Sequence, residues 1–165
     1  MLKAVWISLV VFVVDQATKW LAVEYLSGRP PVKIMPGFDL QLAYNTGAAF
    51  GTFNHAGGWQ NAFFIGVAVA VSLFLVYSLR RLSRVQLQIA VSYALILGGA
   101  LGNVFDRLRQ GYVVDFIHWF YKSYDWPNFN MADSAIFVGA ALLVMDIVGL
   151  KLFKGRARDG SAPND

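Results

Sequence analysis

VQLQIAVSYALILGGALGNVF, residues 85–105, carries no charged side chain and is bounded by Arg84 on one side and Asp106-Arg107 on the other. A helix of about 20 mostly apolar residues crosses the hydrocarbon core of a bilayer and satisfies its own backbone hydrogen bonds there. This stretch therefore reads as a membrane span. A second charge-free run, Ala56 to Leu79, ends at Arg80 and has the same reading over 59–79.

Two neighbouring runs are interrupted by charge. Residues 4–26 contain Asp15, Lys19 and Glu24, and residues 134–150 contain Asp146. Asp15 and Lys19 are four residues apart, so on a helix they are adjacent opposite charges on one face. A paired charge facing protein is tolerable in a membrane helix, and four spans are expected, at 4–26, 59–79, 85–105 and 134–150. Composition agrees: 57% of the 165 residues are hydrophobic and 15% charged, outside the balance of a soluble domain. With no repeat or linker, one domain is expected over 1–165, with a polar, disordered tail over 155–165. The N-terminal run is read as an uncleaved span, because Asp15-Gln16-Ala17-Thr18-Lys19 is an unsuitable end for a removable leader.

Lys and Arg in the short connections set orientation. Lys3, Arg80, Arg81, Arg84, Lys151, Lys154, Arg156 and Arg158 fall on one side of a four-span bundle, and Arg29, Lys33, Arg107, Arg109 and Lys122 on the other. Eight against five places both termini in the cytoplasm and the two long connections outside. The net charge of +4 fits a basic rim meeting anionic lipid and calls for no nucleic acid.

In the first connection, Gly28-Arg29-Pro30-Pro31 and Pro36-Gly37 are turn signals, and Phe38 to Tyr44 alternates apolar and polar residues at period two. A small outer β-sheet built from this loop is expected. Asn45-Thr46-Gly47-Ala48-Ala49-Phe50-Gly51 then sets small residues beside an amide, which suits a tight turn or a close backbone approach. Gly98 and Gly102 have the spacing that lets membrane helices pack closely. Asn103, in the last turn of a span, needs a partner. Asp106 and Arg107 form a charge pair at the headgroups or belong to a site.

Because the third span leaves and the fourth re-enters on one face, Asp115 and Asp133 both belong to the outer end of the bundle. Two carboxylates at a low-dielectric mouth cannot both ionise cheaply, so one keeps a proton while the other acts as a base. That is the arrangement of an aspartic protease. The structural alternative makes Asp133 a helix cap and Asp115 an ordinary loop acid. Other chemistries lack their parts. There is no cysteine, no HExxH, no GxSxG and no phosphate-binding glycine loop, and the only imidazoles are His55 and His118. His118 could join the two acids around a metal, but His118-Trp119-Phe120-Tyr121 reads better as an interfacial aromatic belt.

Five blocks, in order, resemble the signal peptidase II family: Asp15-Gln-Ala-Thr-Lys19, Asn45-Thr-Gly47-Ala-Ala-Phe50, Gly98-Gly-Ala-Leu-Gly-Asn103-Val-Phe-Asp106-Arg107, Val113-Val-Asp115-Phe116 and Phe129-Asn130-Met-Ala132-Asp133. The resemblance implies an aspartyl endopeptidase of the bacterial inner membrane with Asp115 and Asp133 as catalytic pair. It also implies that Asn45, Gly47, Asn103, Arg107 and Asn130 line the substrate groove, and that Asp15, Lys19 and Asp106 support them. The implied substrate is a prolipoprotein carrying diacylglycerol on the cysteine before which the chain is cut, with no metal or organic cofactor, and a monomer is the default. A transporter using Asp15 and Lys19 as an ion relay, and a lipid-binding scaffold, are the competing classes. Flux lost in Asp15→Asn but kept in Asp115→Asn marks the first, and indifference to Asp115→Asn and Asp133→Asn marks the second.

Overall fold

The computed structural model describes residues 2–47, 59–83 and 85–153. His55, the Ala48–Gly51 part of the turn block, Arg84 and the 155–165 tail lie outside them. A short 3-10 turn, Leu2–Ala4, leads into α1, Val5–Leu26. The strands β1, Val32–Met35, and β2, Phe38–Asn45, follow; then come α2, Trp59–Arg81, and α3, Leu87–Gln110. Strands β3, Val113–Tyr121, and β4, Tyr124–Asp125, precede α4, Met131–Ile147.

The first three helices have 22, 23 and 24 residues and are apolar enough to cross a membrane. The fourth has 17, at the short end of what spans. Val10, Leu73, Phe74, Phe137 and Val144 are all exposed on the helices, as side chains solvated by lipid tails would be. Over half of the apolar span of α3 is buried by the rest of the chain, against less than a quarter for α1 and α2. The reason is in its sequence: α3 supplies the small residues on which its neighbours pack.

A Cβ on Gly98 would fall 2.7 Å from the Ser8 carbonyl oxygen of α1, and one on Gly102 would fall 2.5 Å from the Asp15 carboxylate. A Cβ on Gly99 would strike the Ala132 carbonyl oxygen of α4, and one on Gly139 would fall 2.8 Å from the Ser92 carbonyl oxygen of α3. Small residues at these points let backbones approach, as membrane helices require where no hydrophobic force drives them together. The pairings also give direction. Numbers rise together along α1 and α3 (Ser8 with Ala94, Gln16 with Gly102) and run oppositely along α3 and α4 (Gly99 with Ala132, Gln88 with Leu142). Asn61 of α2 bonds the Arg107 carbonyl of α3, so α2 runs antiparallel to α3. The end of α1, the start of α2, the end of α3 and the start of α4 therefore share one end of the bundle.

The sheet sits at that end. Its order is β1-β2-β3-β4, all antiparallel, with Ala43 opposite Asp115 and Asn45 opposite Val113. The expectation of a sheet from the first connection alone is corrected, because half of its strands come from the segment after α3. Val113–Tyr121 is nine residues of β-branched, aromatic and mixed character, and a lone hairpin of β1 and β2 is marginal without a third strand. Ala22 and Leu26 of α1 form a buried cluster with Phe116, against which Leu40 and Ile117 of the sheet pack.

Helix boundaries also differ, and the fourth helix ends at Ile147 rather than 150. The third helix runs five residues past the expected 105, to Gln110, and Gly111 closes it in the left-handed conformation at φ +83°. The fourth helix starts at Met131 rather than 134 because Asn130, not Asp133, is its N-cap. Asp106, Arg107 and Asp133 are thereby helical residues, held more rigidly than loop residues.

Candidate active site

Asp115 lies on β3 with its side chain 2% exposed, and Asp133 is the third residue of α4. Asn130 joins them. Its Nδ2 donates to Asp115 Oδ1 at 2.7 Å, while its Oδ1 accepts from the Asp133 backbone N–H at 3.0 Å. The Asn130 backbone N–H returns a bond to Asp133 Oδ2 at 3.2 Å, completing a capping box. Asp133 is thus the N3 member of the box rather than the helix cap that the structural alternative makes it. That role uses one of its oxygens and leaves the other turned to the cluster.

That second oxygen, Oδ1, accepts from Asn103 Nδ2 at 2.8 Å. The Asn45 Nδ2 donates to Asp115 Oδ2 at 3.0 Å across the β2–β3 ladder, and Asn45 Oδ1 takes the Gly47 N–H at 2.9 Å. Gly47 sits at φ +88°, and a Cβ there would lie 2.7 Å from the Phe64 ring, so neither its backbone nor its space admits a side chain. Among the described residues, each carboxylate oxygen of the pair has one donor.

Beneath the pair lies an ion cluster. The Lys19 ammonium contacts Asp15 Oδ2 at 2.8 Å, Asp106 Oδ2 at 2.9 Å and Asn103 Oδ1 at 2.9 Å. The remaining Asp15 oxygen accepts the Ala132 backbone N–H, and Asp106 accepts the Val114 N–H, each a strand or helix on which a catalytic candidate sits. Asp15 is fully buried and Lys19 is 3% exposed. Buried charges persist only when paired and hydrogen-bonded, and these are.

Burial drives the Asp115 carboxyl upward from its ordinary value of 3.8 to about 6, and the charge of Asp133 adds to the shift; the amides of Asn45 and Asn130 oppose it. Arg107 stands at the rim, its guanidinium 5.1 Å from the centre of the Phe64 ring. Its Nε is buried and has no hydrogen-bond partner among the described residues.

All ten residues singled out from the sequence fall within this end of the molecule. Three partners escaped that reading. Gln16 bridges Asp15 and Asp106, Asn61 bonds the backbone beneath Arg107, and Phe64 walls Gly47 and Arg107. Only Gln16 carried a signal, being an amide between Asp15 and Lys19. His118 is directed elsewhere: its Nδ1 lies 2.8 Å from Asp39 Oδ1 on the neighbouring strand. Among the described residues no three His, Cys, Asp or Glu converge as metal ligands.

The chemistry available to this cluster is acid–base work by two coupled carboxyls in a water-poor site. Residues 7–149 match the family model described as signal peptidase (SPase) II. A lipoprotein signal peptidase of Aeromonas hydrophila is 47% identical over 146 residues, 88% of this chain and 87% of that one. One from Acinetobacter baumannii is 44% identical over 160 residues, covering 96% and 90%. Two solved bacterial membrane enzymes superpose with TM-scores of 0.78 and 0.77 at 29% and 27% identity, covering 90% and 94% of this chain and 94% and 96% of their own. A match over almost every residue from α1 to α4 leaves one conclusion: this chain belongs to the signal peptidase II family of peptidases.

Proposed function

We propose that this protein is an aspartyl endopeptidase that removes signal peptides from diacylglyceryl-modified prolipoproteins, cutting before the lipid-modified cysteine. The observation that carries the reading is the Asn130 side chain, which ties Asp115 and the start of Asp133's helix into one buried polar cluster. One carboxyl is ionised and the other protonated. The ionised group takes a proton from a water held between the two, and the water oxygen bonds to the scissile carbonyl carbon. The protonated group gives its proton to the carbonyl oxygen, so a neutral gem-diol forms. In collapse, the first carboxyl returns its proton to the departing nitrogen as the C–N bond breaks. The second recovers the proton of one hydroxyl, and both groups end as they began.

The amides of Asn45, Asn103 and Asn130 hold the carboxyls in place. Arg107, whose Nε has no partner among the described residues, and the cramped Gly47 turn are the groups that meet the substrate backbone. The same reading makes the chain one domain with four spans in the bacterial inner membrane, its termini cytoplasmic and the sheet end facing out. There a signal peptide lying in the bilayer presents its cleavage site near the outer surface. A monomer suffices, because one chain supplies every group used.

Detergent-purified protein incubated with a diacylglyceryl-modified prolipoprotein tests this by the gel shift of signal-peptide release. Release by the wild type, absent in Asp115→Asn and Asp133→Asn, is the expected result. No release by folded wild type overturns the substrate assignment, and release by either variant overturns the dyad.

A further inference from the structure

We propose that Lys19 is a positioning residue for the reaction: by holding the Asn103 amide in one orientation it makes Asp133 the ionised member of the pair and Asp115 the proton-bearing one. The inference rests on the dyad reading above and adds a division of labour to it.

The argument begins with what an ammonium can do. Lys donates and never accepts. The group at 2.9 Å from Nζ must therefore be the carbonyl oxygen of Asn103, and its NH2 is left to face Asp133 Oδ1, 2.8 Å away. Flipping this amide would set NH2 against the ammonium and a carbonyl against the carboxylate. The Nδ2 of Asn130 also donates to Asn103 Oδ1, at 3.2 Å, and reinforces the orientation. The ammonium is itself fixed by Asp15 and Asp106 at 2.8 and 2.9 Å. Lys19 thus acts at one remove, and the group it delivers to Asp133 is a donor, which favours the charged form of a carboxyl.

Two further features separate the acids. Asp133 occupies the first turn of α4, where the N-terminal end of a helix favours an anion, and it is only partly buried. Asp115 sits on a strand, without a helix dipole, and is almost fully buried. Its carboxyl is raised to about 6, in the same sense. The charged groups around the pair are Lys19 and Asp15 from α1, and Asp106 and Arg107 from α3. The β2 strand contributes the neutral Asn45, and His118 of β3 is engaged with Asp39.

The test is the pH profile of kcat/KM for Asn103→Ala, which removes the donor and keeps every charge. The acid limb, which reports the group that must be ionised, moves to higher pH while the alkaline limb, set by Asp115, stays, so the profile narrows from one side. Lys19→Met moves the acid limb further than the alkaline one, since it removes a nearby charge from both. If Lys19→Met fails to fold, Asn103→Ala decides alone. A shift confined to the alkaline limb, or none in folded Asn103→Ala, overturns the proposal.

A second readout needs no substrate. At about pH 5, between the ordinary carboxylate value and that of Asp115, the infrared stretch of a protonated carboxyl seen in wild type is lost in Asp115→Asn. Its persistence overturns the assignment even if the cleavage assay fails. Retained cleavage in Asp115→Asn and Asp133→Asn overturns the dyad instead.

Discussion

The two ends of α3 solve the same problem with different means. At its start, Gln88 is buried and fully used: Nε2 donates to the carbonyls of Leu142 and Leu150, and Oε1 accepts from the N–H groups of Leu152 and Phe153. Ser92 and Ser8 nearby spend their hydroxyls on backbone carbonyls. The side chains that make these bonds are neutral, and those of Gln88 and Ser8 join one segment of the chain to another. At the other end, Lys19, Asp15, Asp106, Asp115 and Asp133 bring five ionisable groups together, with the last two acids sharing their neighbours' amides. The neutral end closes the bundle. The charged end leaves Asp115 with a proton whose affinity lies far from that of a free carboxyl, which is a cost to folding and a resource for chemistry.

The largest way to break this contrast is at the pair itself. Asp115→Asn and Asp133→Asn each lower kcat by about 1,000-fold or more, roughly 4 kcal/mol of barrier, while the purified variants keep the helical circular-dichroism signal of wild type. A loss of helicity in both would make these acids structural and erase the difference between the ends.

Next in size is a pH effect on stability. The Asp115 carboxyl is raised from 3.8 to about 6 on folding. Between these values the folded chain holds a proton that the unfolded chain has lost, so stability falls as pH rises through the window. It is full below about pH 4 and gone above about pH 6, a span of about 3 kcal/mol at most. Thermal unfolding across that range shows the drop in wild type and not in Asp115→Asn. An equal drop in both assigns the proton to another group.

Glycine substitutions then sharpen the comparison. Gly102→Ala brings a methyl to within 2.5 Å of Asp15 Oδ2, and Gly139→Ala brings one to within 2.8 Å of the Ser92 carbonyl oxygen. Each destabilises by about 1–3 kcal/mol. Gly102→Ala also lowers kcat in the folded fraction, because Asp15 holds Lys19 and the Ala132 N–H at the head of α4. Gly139→Ala leaves it unchanged. Equal activity in the two folded variants would separate the ion cluster from the pair.

The smallest effect is at the neutral end. Gln88→Leu costs about 1 kcal/mol, since the groups it frees at residues 150–153 are exposed and water replaces the side chain. Cleavage per folded molecule stays at the wild-type level.

Much of this was legible in the chain. The two charge-free runs became α2 and α3, and the interrupted run at 4–26 became α1, all three apolar enough to cross a membrane, because a span must satisfy its backbone alone and needs no partner to announce itself. The period-two run at 38–44 became β2. The sheet's other half was not legible, since Val113–Tyr121 alternates poorly: four consecutive residues, Val113 to Phe116, are buried. A strand covered on both faces has no period to read. Nor does Asn130 declare itself as the cap ahead of Asp133, because both residue types serve in that role.

The sequence by itself determined the membrane-crossing character, the close-packing glycines, and an inventory of acids and amides too polar for lipid to leave unpaired. Only the tertiary structure decided which acid touches which amide. Lys19 reaches Asn103 across 84 residues and Asn45 reaches Asp115 across 70. The burial that separates Asp115 from Asp133 is likewise a property of packed neighbours. Proton affinity follows desolvation and local donors, and neither exists until the helices and the sheet have closed around the pair.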